Sequence, residues 1–218
     1  MRLRKKAGIN EKLAALPQLI LTKPQQYYGN WAKVFGNEQP IHLEIGTGKG
    51  SFICGMAKLY PQINFIGIER VPEIIYLASK KVIAEGLPNV RLLMEDAANL
   101  QEIFKPGEVE RLYLNFSDPW PKTRHARRRL THPDFLGIYK KVLPPGGAIH
   151  LKTDNHDFFE YSLLRLVQEG FSLSHISYDL HKSGYTPNIM TEYEQRFSSL
   201  GQPIYRLEAF TAQITKVW

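Results

Sequence analysis

The stretch Glu44-Ile45-Gly46-Thr47-Gly48-Lys49-Gly50 lies between an apolar run, 41–45, that predicts a strand and a segment reaching Leu59 that predicts a helix. Glycines at such a junction let the backbone bend sharply, and they let a ligand approach the main-chain amides with no Cβ in between. The sequence therefore predicts a strand, a tight turn and a helix with a ligand site at the turn. The alternative is a turn that serves the fold alone.

The glycine spacing separates three kinds of nucleotide site. A phosphate-binding Walker loop would need glycine at Leu43 and serine or threonine at Gly50. A dinucleotide pattern would need glycine at Ser51. The spacing acid-x-Gly-x-Gly-x-Gly is typical of S-adenosylmethionine enzymes, whose ligand carries an ammonium and a sulfonium that a carboxylate attracts. We therefore expect this ligand to be bound by Glu44, Gly46, Gly48 and Gly50.

The rest of the chain alternates short apolar runs with amphipathic stretches. Further strands are predicted at 64–68, 90–94, 112–116 and 148–152, with helices at 72–85 and 133–142. This order predicts an α/β fold with a seven-stranded, mostly parallel sheet and an antiparallel C-terminal strand. With the S-adenosylmethionine spacing of the turn, we expect it to be a Rossmann-like class I methyltransferase. Two half-exposed runs, 171–178 and 204–213, are expected to pair antiparallel at one side of the sheet.

We expect residues 1–40 to form an N-terminal arm or lid, and residues 41–218 to form the S-adenosylmethionine-dependent methyltransferase domain. The chain has 218 residues, which suits one good-sized domain and is short for two.

Acidic residues follow three further predicted strands. Glu69 ends the second strand, Asp96 follows the third, and Asp118 follows the fourth. Because open α/β sheets bind ligands outside the carboxyl ends of their strands, these side chains are expected to line one crevice. Glu69 suits the ribose hydroxyls, Asp96 suits the adenine amino group, and Asp118 would lie beside the transferred methyl group. Taken singly, Glu69 or Asp96 would more often be a solvated loop acid, and the Asp118 segment could be a proline-rich turn with a packed tryptophan.

The charge balance points to a polyanionic partner. The chain carries 28 Lys and Arg against 21 Asp and Glu, a net charge of +7. Five of the eight residues at 122–129 are Lys or Arg, directly after Asp118 and a proline-rich loop. Such a run is usually a solvated basic face with no ligand. Its position beside the predicted methyl-transfer site favours a phosphate clamp. The residues that we expect to bind RNA are Arg124, His125, Arg127, Arg128 and Arg129.

Other classes of protein are disfavoured by what the sequence lacks. Cys54 is the only cysteine, so no disulfide framework and no cysteine-based metal site is expected, and we predict no bound metal. No apolar run approaches the ~20 residues of a membrane helix. No apolar signal-peptide core follows the basic N-terminus, so we expect a cytoplasmic protein with no membrane partner.

The sequence resembles the bacterial tRNA (guanine-N7)-methyltransferase family from residue 41 to about residue 206. The Phe-Ser-Asp-Pro-Trp-Pro-Lys segment and the Thr-x-x-Glu block are far more specific than a glycine-rich turn. The resemblance is carried by Glu44-Ile45-Gly46-Thr47-Gly48-Lys49-Gly50, Gly67-Ile68-Glu69, Asn115-Phe116-Ser117-Asp118-Pro119-Trp120-Pro121-Lys122, the basic run through Arg129, Lys152-Thr153-Asp154-Asn155 and Asn188-Ile189-Met190-Thr191-Glu192-Tyr193-Glu194.

The resemblance implies methyl transfer from S-adenosylmethionine to N7 of a guanine in the variable loop of tRNA, at position 46. It implies that the cofactor contacts or borders Glu44, Glu69, Asp96 and Asp118. Because N7 methylation makes the guanine ring cationic, we expect Asp118 to be the catalytic residue, its carboxylate stabilising the developing positive charge. It also implies that the target nucleotide is held by Lys122, Asp154, Thr191 and Glu194. Guanine presents hydrogen-bond donors at N1 and at its exocyclic amine, which suits the acceptors of Asp154 and Glu194.

Two other functions remain open. Asp118-Pro119-Trp120-Pro121 resembles the Asp/Asn-Pro-Pro-aromatic loop of enzymes that methylate exocyclic amino groups. An RNA-binding protein with a relict cofactor pocket is the non-enzymatic alternative, and intact acids at every strand end argue against it. For the oligomeric state we expect a monomer or a homodimer.

Overall fold

The computed structural model describes residues 8–213, so residues 1–7 of the predicted arm and residues 214–218 of the predicted domain lie outside the described part. The described strands are β1 (Ile20–Leu21), β2 (Ile41–Ile45), β3 (Asn64–Ile68), β4 (Val90–Leu93), β5 (Arg111–Asn115), β6 (Ala148–Thr153), β7 (Ser172–Ser177) and β8 (Tyr205–Phe210). The described α-helices are α1 (Ile9–Ala14), α2 (Trp31–Phe35), α3 (Ser51–Leu59), α4 (Pro72–Ala84), α5 (Leu100–Ile103), α6 (Pro133–Val142), α7 (His156–Gln168) and α8 (Glu192–Ser198).

The strands form one sheet in the order β1-β4-β3-β2-β5-β6-β8-β7. Neighbouring strands are parallel except where β8 runs antiparallel to β6 and to β7. The predicted fold class and the predicted antiparallel pairing near the C-terminus are therefore confirmed. The sheet has eight strands where we predicted seven, because β1 adds two residues parallel to β4. A two-residue strand is too short to show an alternating pattern in the sequence.

The described residues before β2 pack onto the sheet and its helices. Helix α1 lies against α4, and Ile20 and Leu21 are buried. Trp31 is 1% exposed, its Nε1 donates to the carbonyl oxygen of Ile103 at 3.2 Å, and its ring stacks on that of Phe104 at 5.1 Å. Burying a tryptophan against one partner element is worth several kcal/mol, so this segment contributes to the stability of the domain.

The two faces of the sheet differ in character because side chains alternate along each strand. One face carries Leu43, Leu112 and Leu151, which lie in the larger apolar core with α6 and α7. Along the same strands the opposite face carries polar side chains, including Glu44, Asn115 and Lys152, all buried. Apolar residues of α3, such as Phe52, cover part of that polar layer.

Helix length bears on membrane insertion. The longest described helices, α4 and α7, have 13 residues each, against the ~20 that a membrane span needs. No helix within residues 8–213 is long and apolar enough to cross a membrane.

Candidate active site

A cleft of about 910 Å³ opens at the carboxyl ends of β2, β3, β4 and β5. Strand order reverses there, since the chain leaves β2 toward β3 and β4 and later returns to add β5 on the other side. Loops on either side of such a point diverge and leave a crevice for a ligand. The walls include Gly46, Glu69, Asp96, Phe116, Asp118 and Trp120.

The three glycines of the turn have different tasks. All have positive φ values, 78° at Gly46, 57° at Gly48 and 87° at Gly50. Gly46 lines the cleft, and nothing lies within 4 Å of the point where its Cβ would be. A Cβ on Gly50 would meet Cβ of Ala78 at 3.1 Å, so this glycine allows α3 to pack on α4. Of the three, Gly46 is the one that lines the cleft.

Glu44 lies beneath the turn and does not line the cleft. Its side chain is buried, with Oε2 accepting from Oγ1 of Thr47 at 2.7 Å and Oε1 accepting from Nδ2 of Asn115 at 2.9 Å. Burial raises the pKa of Glu44 from 4.5 to about 7, although both hydrogen bonds act in the opposite direction. We expected this carboxylate to contact the cofactor. The structure places it where it joins the turn to the end of β5.

Glu69 and Asp96 face the cleft and are held by the backbone. Oε1 of Glu69 accepts from the amides of Arg70 at 2.8 Å and Val71 at 3.0 Å, and Oε2 accepts from the amide of Gly48 at 3.3 Å. Oδ1 of Asp96 accepts from the amide of Ala98 at 2.9 Å, and its Oδ2 pairs with Nη1 of Arg70 at 3.1 Å. Each carboxylate is therefore fixed at its strand end.

The loop after β5 carries Asp118 on an exposed position at the cleft wall. Two non-glycine residues of this loop have left-handed backbones, Phe116 with φ of 52° and Trp120 with φ of 42°. Such conformations cost of order 1–3 kcal/mol each and concentrate at functional sites. The loop therefore needs outside contacts to keep its shape.

The basic segment forms a 3-10 helix, Thr123–Arg128, beside the cleft. Lys122, Arg124, Arg127 and Arg128 are exposed, and both Arg127 and Arg128 line the cleft. The Trp120 ring contacts two residues of this segment: the guanidinium of Arg128 lies 4.9 Å from its centroid, and the ring of His125 lies at 5.7 Å in an edge-on arrangement. Arg129 differs from its neighbours because its side chain bonds to the loop of Asp118.

The remaining predicted residues lie on α8 and at the end of β6. Thr191 caps α8, its Oγ1 accepting from the amide of Glu194 at 2.9 Å, which is half of a capping box. Asp154 is half-buried, and its Oδ2 accepts from the hydroxyl of Tyr193 at 3.4 Å.

Glu194 is fully buried, and protein groups occupy both of its oxygens. Oε2 pairs with Nζ of Lys152 at 2.5 Å, while Oε1 accepts from Nδ2 of Asn188 at 2.7 Å and lies 3.4 Å from Nε2 of His181. We expected Glu194 to meet the edge of the guanine. In the structure it anchors α8 and the preceding loop to β6.

Sequence reasoning missed two residues of this region. Lys152 is a lysine within an apolar strand, and that position alone signals a buried partner. Tyr193 is exposed, and its ring lies 5.1 Å from that of Phe116 and 4.2 Å from that of Phe197. No sequence pattern indicates the contact between Tyr193 and Phe116, because these two residues are far apart in the chain.

The raised pKa of Glu44 predicts a pH dependence of stability. Because the folded-state pKa lies above the unfolded value, folding takes up a proton between pH 4.5 and 7. The contribution of Glu44 to stability is therefore lost as the pH rises through that window. Glu44→Gln removes this titration, so the free energy of unfolding of the wild type relative to Glu44→Gln should fall by roughly 2–3 kcal/mol from pH 5 to pH 8. Urea unfolding across that range measures it, and a constant difference would contradict the assignment.

The buried ion pair predicts unequal effects for two glutamates of one helix. Glu194→Gln leaves the ammonium of Lys152, 7% exposed, without its carboxylate and should cost roughly 3–5 kcal/mol. The matched control is Glu192→Gln, since Glu192 pairs with Lys81 at 2.7 Å at a 35% exposed position, and its loss should cost about 1 kcal/mol or less. Equal losses in urea unfolding would show that the Glu194 pair does not anchor the helix.

The sequence matches the model of a protein family described as "Putative methyltransferase" over residues 38–207. A curated tRNA (guanine-N(7)-)-methyltransferase of Geobacillus kaustophilus (strain HTA426) is 55% identical over 209 residues, with 96% of each chain covered. One of Streptococcus thermophilus (strain CNRZ 1066) is 52% identical, with 96% of this chain and 98% of that protein covered.

Among solved structures, the 16S rRNA methyltransferase KamB superposes with a TM-score of 0.66 at 17% sequence identity, covering 84% of this chain and 93% of that chain. At that identity the likeness shows a shared fold. The family model and the two relatives at more than 50% identity show more. The chain therefore belongs to the family of the tRNA (guanine-N(7)-)-methyltransferases.

Proposed function

We propose that this chain transfers a methyl group from S-adenosylmethionine to N7 of a guanine in tRNA, in the variable loop at position 46. The observation that carries the proposal is one cleft that joins strand-end carboxylates to exposed arginines, Arg127 and Arg128, in a chain 55% identical to a curated tRNA (guanine-N(7)-)-methyltransferase. Glu69 and Asp96 suit the hydrogen-bond donors of the cofactor, Asp118 suits its positively charged methyl-sulfonium end, and the arginines suit a polyanion.

The cleft fits the cofactor on three counts. Its volume of about 910 Å³ is in the range of small-molecule sites. The open space at the Cβ position of Gly46 leaves room for a ligand against the turn. Glu69 would accept from the ribose hydroxyls and Asp96 from the adenine amino group, while Glu44 supports the turn from below. Bound there, S-adenosylmethionine supplies an electrophilic methyl group on a sulfonium.

The RNA would meet the exposed basic segment. Lys122, Arg124, Arg127 and Arg128 lie beside the cleft, and neutralising phosphates with such side chains gives affinity that falls with salt. His125 packs on Trp120 and would fix the segment relative to the cleft. These contacts would hold the tRNA in register without reading its sequence.

The main task of the protein in this reaction is to position the guanine against the methyl group. N7 of guanine has a free lone pair and no proton, so no general base is needed, and holding N7 in line with the methyl group dominates. The product ring is cationic, and the carboxylate of Asp118 would stabilise the developing positive charge. Since the guanine is stacked in a folded tRNA, it must leave the stack to reach the cleft.

The remaining residues divide between contact and support. Asp154 is half-buried directly after β6, and we propose that its carboxylate accepts from the donor edge of the guanine. Thr191 and Glu194 would act by fixing α8, which holds Tyr193 beside Asp154 and Phe116. For the oligomeric state we propose a monomer, with one site, or a homodimer, with two. A tRNA substrate implies a cytoplasmic location.

Mapping the methylated atom tests the proposal and excludes the alternatives. Unmodified total tRNA is incubated with the chain and S-adenosylmethionine, then reduced with borohydride and treated with aniline. N7 methylation makes the imidazole ring cationic and open to attack, so cleavage should mark one guanine in the variable loop. Methylated tRNA that resists cleavage would promote methylation of an exocyclic amine. Absence of methyl transfer and of cofactor binding would favour an RNA-binding protein.

A further inference from the structure

Arg129 turns away from the arginine run to which it belongs. Its Nε donates to the carbonyl oxygens of Pro119 at 3.1 Å and Trp120 at 3.3 Å, and its Nη2 donates to that of Trp120 at 3.1 Å. Its guanidinium carbon lies 4.2 Å from the ring centroid of Tyr161 on α7. Arg124, Arg127 and Arg128 are exposed, whereas Arg129 is half-buried. The Arg129 guanidinium is therefore committed to protein groups.

The loop that Arg129 holds has few means of keeping its own shape. Between Asp118 and Pro121, the two prolines have no amide hydrogen to donate. Trp120 has a left-handed backbone with φ of 42°, which an L side chain rarely adopts. Two successive carbonyl oxygens of this segment accept from one planar guanidinium, whose rigid fork matches paired acceptors. An outside group thus fixes the backbone directly after Asp118.

Arg129 is itself supported by α7, whose Tyr161 ring packs against its guanidinium. Tyr161 packs against the larger apolar core, and the guanidinium of Arg165 also lies by its ring, 5.3 Å from the centroid. A series of contacts therefore runs from Tyr161 on α7 to Arg129 and from Arg129 to the loop after β5. Asp118 and Trp120 of that loop line the cleft. Rigid support of this kind sets where a reacting group lies.

We propose that Arg129 is a positioning residue, which clamps the Pro119–Trp120 backbone so that Asp118 and Trp120 stand at the reacting end of the cleft. The inference rests on the proposed function, since it concerns the same methyl transfer. It separates Arg129 from the neighbouring arginines: Arg129 serves the rate of transfer, and the exposed arginines serve the affinity for RNA.

The test compares Arg129→Met and Arg129→Lys with two arginine controls. Single-turnover methylation is measured at saturating S-adenosylmethionine and tRNA, and tRNA affinity is measured across a salt series. Both Arg129 variants should lose about tenfold or more in rate, because lysine keeps the charge but not the fork. Their tRNA affinity should stay within about twofold and their salt slope should not change.

The controls define what a structural or an RNA-binding role would look like. Arg165→Met removes a guanidinium from the same Tyr161 ring without touching the loop, and its rate should match the wild type. Arg127→Met should reduce by about one the slope of the logarithm of tRNA affinity against the logarithm of salt concentration. The proposal is overturned if Arg129→Lys methylates at the wild-type rate, or if Arg129→Met loses slope as Arg127→Met does.

Folding and chemistry are kept apart by two further readouts. If Arg129→Met melts at a clearly lower temperature, a second variant, Tyr161→Leu, is measured, which removes the supporting ring but keeps the Arg129 guanidinium. Its methylation rate should fall while its tRNA affinity stays unchanged. An unchanged rate overturns the proposal. If the wild type yields N7-methylguanine and Arg129→Met yields it equally fast, the inference alone is lost. If the wild type yields none, the proposed function is lost.

Discussion

The strand order of the sheet is the constraint on which the site depends. Because β2 lies in the middle and the chain builds outward from it in both directions, the loops after β2, β3, β4 and β5 meet around one crevice. That convergence brings Glu69, Asp96 and Asp118 to the walls of one cleft. Like charges repel, so the arrangement requires local neutralisation. Backbone amides donate to the carboxylates of Glu69 and Asp96, and the guanidinium of Arg70 pairs with Asp96.

Beneath the crevice, the polar face of the sheet joins parts that would otherwise be independent. Glu44 connects the glycine-rich turn to Asn115 at the end of β5, and Lys152 connects β6 to α8 through Glu194. Buried polar groups are costly unless satisfied, and satisfied ones specify a single arrangement. The turn, the Asp118 loop and α8 are therefore held in fixed relation by side chains that no ligand needs to touch.

Much of this arrangement could be predicted from the sequence, because the signals are local. Alternation and apolar runs gave the strands from β2 to β8, and the strand-end rule located Glu69, Asp96 and Asp118 at the crevice. Other features could not be predicted, since they depend on partners far along the chain. Glu44 fits a cofactor contact by spacing, yet it bonds to Asn115, 71 residues away. In the sequence, Arg129 cannot be distinguished from the other arginines of the basic run, because its hydrogen bonds to the Trp120 loop depend on the fold.

A crystal structure of the chain with S-adenosylhomocysteine tests most directly whether the crevice at the strand-order reversal is the cofactor site. The ligand should lie between Gly46 and the Asp118 loop, with both ribose hydroxyls within hydrogen-bond distance of the Glu69 carboxylate and the adenine amino group toward Asp96. Electron density for the ligand outside this crevice would contradict the assignment.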